Sequence, residues 1–227
     1  MFIVATLFIA GALTKPLLQL AQASQKLASG NFNAELDYDG KDELGILTKS
    51  FRQMRDHLQM YISDLNSRAY SDALTGIKNK GAFDIYAGRL NNSIKLSAEQ
   101  DGPEFAVVMF DCNWLKEIND AYGHERGDIY LRATSHAICE TFTHSPVFRL
   151  GGDEFAAILQ KDDYLRRDET MERFHIRAEE VNAQAENPWE NVSIAIGMAV
   201  YDPAQDKDAD SVLRRADELM YEDKRRT

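Results

Sequence analysis

Two early stretches of the chain repeat apolar positions at three- and four-residue steps. In the first, Leu17, Leu20, Ser24 and Leu27 predict a helix that opens at Pro16, where proline's missing N–H is harmless, and stops at Ser29-Gly30-Asn31. A polar connector over 31–41 follows, with Phe32, Leu36 and Tyr38 spaced to tuck against a helix pair. The second stretch opens on Asp42-Glu43, acids suited to a helix N-terminus, and runs Leu44, Leu47, Phe51, Met54, Leu58, Tyr61, Leu65. That spacing is a strict heptad. So narrow a strip buries against a partner helix, which predicts a parallel coiled coil and a homodimer.

From about residue 67 helical and strand patterns alternate. Helices are predicted over 82–96, 127–142, 162–186 and 210–226, with a short helix or turn at 114–119. The continuous apolar runs Phe105–Asp111 and Val192–Tyr201 read as buried strands. Between them, Val147–Leu150 and Phe155–Leu159 flank Gly151-Gly152, a hairpin signal because glycine alone takes the positive φ of a tight turn freely. Helices interleaved with an antiparallel hairpin give an α+β class, helices flanking a mixed sheet.

The first thirteen residues carry no charge but fall short of the roughly 20 that a membrane span needs. They read as the C-terminal stub of a transmembrane helix, with Lys15 on its cytoplasmic side. Residues 14–66 then read as a helical linker, and 67–227 as a domain of ordinary size. A net charge of −11 without a basic block argues against a nucleic-acid partner. Cys112 and Cys139 form no metal-ligand or disulfide pattern, which fits a reducing cytosol.

Acids stand at the ends of two β-runs: Asp111 closes one, and Asp153 and Glu154 follow the Gly-Gly turn of another. Hard oxygen ligands on rigid supports are what a magnesium site in nucleotide chemistry requires. Each acid alone is also what any turn or strand end carries, so the companions decide.

Those companions are YSDALTGIKNKGAF (70–83), DCNWLKEINDAYGHERGD (111–128), RLGGDEF (149–155), VSIAIGMAVY (192–201) and ADELMYEDK (216–224). In this order they resemble the GGDEF domain of diguanylate cyclases. TKP (14–16), the connector with Phe32 and Leu36, and DELG (42–45) resemble a HAMP linker. The resemblance implies a ferredoxin-like palm of the nucleotidyl cyclase type behind an α-helical HAMP and coiled-coil segment. It also implies condensation of two GTP into cyclic di-GMP with release of pyrophosphate, across two facing subunits at the bacterial inner membrane, with the catalytic domain in the cytoplasm.

By the same resemblance Asp111 and Asp153 hold two Mg²⁺ (or Mn²⁺), helped by the Cys112 main-chain carbonyl, with Glu154 in the second metal's shell. Asp153 is the family's base for the 3′-hydroxyl, a nominal role, since a carboxylate that ligates a metal is a poor base. Amides from Asn113 to Lys116 receive phosphate, Lys116 stabilises the transition state, and Lys224 is a second phosphate contact. Asn119 and Asp128 read guanine, whose adjacent N–H groups suit a carboxylate. His124 either lies beside the substrate or caps a turn. Asp72 and Asn79 are expected to shape the turn before the first helix.

Three departures stand out. The RxxD of the usual inhibitory product site is replaced by Phe142 and Ser145, Asn113 stands where a second Asp is common, and the chain ends at Thr227 before a frequent basic residue. Strong product inhibition is therefore not expected, and one phosphate contact is expected to be missing. A degenerate domain that binds GTP or cyclic di-GMP without turnover is the alternative.

Overall fold

The computed structural model describes residues 2–33, 36–97 and 102–226, the backbone alone for 2–13. The chain divides into two compact units between Ser67 and Arg68.

In the first unit, α1 (Phe2–Ala28) is continuous through Pro16, which lies inside the helix rather than opening one. Proline removes a single amide donor, and the apolar run before it extends the helix regardless. No helix of the described residues is long and apolar enough to cross a membrane. Leu20 and Ala23 of α1 bury against Leu36 of the connector, with Phe51 of α2 (Glu43–Tyr70) packed on them. The connector is held by Arg52, whose guanidinium donates to the carbonyls of Leu36 and Tyr38 and pairs with Asp39 at 3.3 Å. Asp42 caps α2, accepting from the Gly45 amide at 2.9 Å and the Tyr38 hydroxyl at 2.6 Å. Gly45 is required there, because a Cβ would fall 1.7 Å from the Gly40 carbonyl oxygen. Five heptad positions of α2 (Leu47, Met54, Leu58, Tyr61 and Leu65) are exposed.

The second unit is a five-stranded sheet in the order β1-β3-β4-β2-β5. β1 (Lys78–Asn79) pairs parallel with β3 (Val147–Gly151); the remaining pairs, with β4 (Glu154–Leu159), β2 (Ala106–Cys112) and β5 (Ile194–Val200), are antiparallel. β2 is buried along its whole length, which is why its sequence is a continuous apolar run rather than an alternating one. Val107 and Met109 face a core built with α3 (Lys80–Leu96) and α8 (Ala209–Lys224). Val108 and Phe110 face the opposite core, with Tyr130 and Ile138 of α5 (His124–Thr141) and Phe174 of α7 (Arg167–Gln184). The predicted α+β architecture is the one observed, a mixed sheet covered on both faces.

The larger departures from the sequence reading lie in α4 to α7. The short helix after β2 is α4 (Leu115–Tyr122), and α5 begins at His124, three residues before the predicted Gly127. The helix expected over 162–186 is two, α6 (Lys161–Leu165) and α7, broken at Arg166. Its first turn is tied down separately: buried Asp163 accepts the His144 amide at 2.9 Å, a contact between distant positions that periodicity does not report.

Candidate active site

The acids of β2 and β4 meet because the two strands pair in a register that sets Asp111 opposite Glu154. Asp153 sits in the turn just before, and its carbonyl accepts the Cys112 amide at 3.0 Å, extending the ladder past the strand ends. Gly152 takes φ 51, the left-handed conformation that lets the hairpin close. Arg149 fixes the same turn, donating to the Gly152 carbonyl at 2.7 and 3.1 Å and pairing with Asp72 at 2.9 Å.

Lys224 enters from α8 and pairs with Asp111 at 2.5 Å. Burial alone would lower its pKa, but the hydrogen bond to Asp111 and the charges of Asp111 and Asp153 raise it overall. Glu154 moves the other way for a carboxylate: burial, then Asp153, Asp111 and Asp217, push it above the ordinary value, with Lys224 opposing. The cluster therefore holds more negative charge than its one lysine neutralises. Such hard-oxygen chemistry fits a divalent cation, although among the described residues no three His, Cys, Asp or Glu side chains are gathered closely enough to hold an ion.

A cavity of about 260 Å³ opens beside the acids, lined among others by Cys112, Trp114, Lys116, Asp153 and Lys224. α4 starts at its wall, and the first amide bonded within the helix is that of Ile118, to the Trp114 carbonyl. The amides of Leu115 to Glu117 therefore open the helix, whereas Asn113, expected to offer its N–H, donates it to the Ser193 carbonyl at 2.9 Å. Asn113 is buried instead as a clamp: its amide reaches Ser193 Oγ at 3.2 Å, and the Tyr130 hydroxyl bonds its carbonyl at 2.9 Å. Cys112 is a packed thiol, its pKa pushed up to about 12 by burial, with Asp153 and Asp111 adding to it.

Asn119 and Asp128 lie at the junction of α4 and α5, both half-buried. The Asn119 side chain rests against Gly127, where a Cβ would fall 2.0 Å from its Oδ1. His124 is exposed at the start of α5 and makes no capping hydrogen bond. Asp72 and Asn79 shape the preceding turn. Asp72 accepts the Thr75 amide and hydroxyl, and Asn79 caps α3 through the Ala82 amide.

Three site-forming residues escaped the sequence reading. Asp217 is one, Arg149 another. The third is Gly197, where a Cβ would meet the Ala216 carbonyl oxygen at 2.1 Å, so glycine alone lets α8 approach β5 and deliver Lys224. A lone glycine inside a strand is the usual mark of such an approach; Arg149 and Asp217 carry no comparable signal.

The family profile described as diguanylate cyclase, GGDEF domain, matches residues 69–227, and the HAMP domain profile matches 8–60. The chain belongs to the GGDEF family of diguanylate cyclases. It is 35% identical over 131 residues to diguanylate cyclase DosC of Escherichia coli (strain K12), covering 57% of this chain and 28% of that protein. It is 30% identical over 230 residues to diguanylate cyclase TpbB of Pseudomonas aeruginosa (strain UCBPP-PA14), covering 92% and 49% respectively. The chain thus spans half or less of these curated relatives. The coiled coil and GGDEF domain of Caulobacter crescentus DgcB, solved with c-di-GMP, shares the fold: TM-score 0.64, 24% identity, 81% of this chain and 95% of that one. The five letters that name the GGDEF family are Gly151 to Phe155 here, the turn and the opening of β4.

Proposed function

We propose that this chain is the output module of a membrane-linked signalling protein and condenses two GTP into cyclic di-GMP, releasing two pyrophosphates. The observation that carries the reading is the convergence of Asp111, Asp153 and Glu154 at one sheet edge beside a lysine-lined cavity. Asp111, Asp153 and the Cys112 carbonyl, with Glu154, would hold two Mg²⁺ or Mn²⁺. Such ions neutralise the triphosphate and favour attack by the 3′-hydroxyl. Lys116 and Lys224 carry phosphate charge, the opening amides of α4 orient it, and Asn119 and Asp128 hold the guanine, with His124 at the edge.

Each subunit would bind one GTP, and two subunits face each other so that each 3′-hydroxyl reaches the other's α-phosphate. The open heptad strip of α2 supports a homodimer through a coiled coil. The HAMP match supports anchoring at the bacterial cytoplasmic membrane, with the GGDEF domain inside the cell. The test is incubation of the purified chain with GTP and Mg²⁺ followed by ion-exchange separation. Cyclic di-GMP and pyrophosphate are expected. Bound GTP without turnover would favour a binding module, and neither binding nor turnover would overturn both readings.

A further inference from the structure

The chain has two tryptophans, and they live differently. Trp189 packs edge-on against Tyr122 at 4.7 Å and under the Arg126 guanidinium at 4.9 Å. Trp114 has no such partners: it is 57% exposed, and its indole makes no hydrogen bond among the described residues. It also holds φ 65, ψ 15 at the N-cap of α4, a left-handed conformation unfavourable for a bulky side chain. Asparagine or glycine would relieve the backbone, supply or tolerate the cap, and remove the exposed apolar surface. Strained, uncapped and bare, this residue lines the cavity beside the acids together with Lys116, Asp153 and Lys224.

We propose that Trp114 contacts substrate: its ring covers the open side of the cavity over the bound phosphates, and its Nε1–H donates to a phosphate oxygen. An indole suits this place because its electropositive edge carries one N–H donor that can meet an anion, while the rest of the ring keeps water from the cavity mouth. The inference rests on the reading of the cavity as a GTP site. It separates from that reading by experiment.

Trp189→Phe leaves Trp114 as the sole indole. Its emission is followed during titration with a non-hydrolysable GTP analogue and Mg²⁺, alongside calorimetry on the unaltered chain. The expected result is a saturable emission change at the calorimetric concentration, repeated with inorganic pyrophosphate but not with guanosine. Trp114→Asn, which suits the backbone, should fold normally by circular dichroism and bind the analogue about three- to tenfold more weakly, with Trp114→Phe between. Silent emission while calorimetry reports binding, or unchanged affinity in both variants, overturns the proposal. Absence of any calorimetric binding removes the GTP reading itself, and this one with it.

Discussion

At the scale of single residues, the acids set the pH behaviour. Glu154 has a raised pKa in the folded domain, so the fold favours its protonated form; that contribution to stability is present below the ordinary value of 4.5 and is lost as pH rises through the raised one. Glu154→Gln should therefore raise the thermal midpoint at pH 7 in metal-free buffer, with the gap closing at pH below 4.5. A variant less stable than its parent at pH 7 would count against the crowding described here. Asp111 has two duties, facing the acids and holding Lys224, so Asp111→Asn should slow cyclic di-GMP production at least about a hundredfold, scored by nucleotide chromatography, while the domain stays folded. These acids were legible in the sequence because ion and phosphate chemistry demand particular residue types at strand ends. The pairing of Asp111 with Lys224 and the pressure of Asp217 on Glu154 were not, since each joins residues more than 60 positions apart and depends on where α8 comes to rest.

Elements deliver these residues, and two glycines govern the delivery. At Gly197 an added Cβ would meet backbone atoms of α8, the Ala216 oxygen at 2.1 Å and the Met220 nitrogen at 2.2 Å, neither of which can swing aside. Gly197→Ala should destabilise the domain by about 1–3 kcal/mol, lowering the thermal midpoint, and reduce turnover as Lys224 retreats. At Gly127 the obstacles are the ends of side chains, Asn119 Oδ1 at 2.0 Å and, less tightly, Leu115 Cδ1 at 3.3 Å. Gly127→Ala should thus leave the midpoint nearly unchanged yet raise KM for GTP several-fold; an unaltered KM would remove Asn119 from guanine recognition. The hairpin and the buried strand were legible from Gly-Gly and from unbroken apolar runs. β1, two residues long, and the break between α6 and α7 were not, because tertiary partners rather than local pattern create them. Phe142, where an arginine would be needed for the product site, is buried against the Phe110 and Phe174 rings, so this position turns inward instead of meeting a ligand. Cyclic di-GMP added to the assay should give no tight non-competitive inhibition.

For the whole molecule, the question is what the exposed heptad of α2 does to the two-subunit site proposed above. Leu47, Met54, Leu58, Tyr61 and Leu65 leave apolar surface uncovered at 3.5-residue spacing, which a second copy of the same strip would cover with matching geometry. Past the heptad, α2 ends at Tyr70, and the next turn is tied into the catalytic domain: Asn79 donates to the Ala69 and Ser71 carbonyls, and Asp72 grips Arg149, which holds the turn before Asp153. Within the second unit, hydrogen bonds therefore run from the last residues of α2 to the hairpin that carries Asp153. One residue inserted after Asn66 turns everything beyond it by about 100° relative to the heptad, changing how two domains on a common coiled coil meet while leaving each GTP pocket whole. Turnover per subunit should change several-fold at unaltered GTP affinity, and Leu58→Glu should shift the mass in sedimentation toward monomer and lower turnover with it. Equal turnover in the insertion variant would mean that the domains find each other without guidance from the helix.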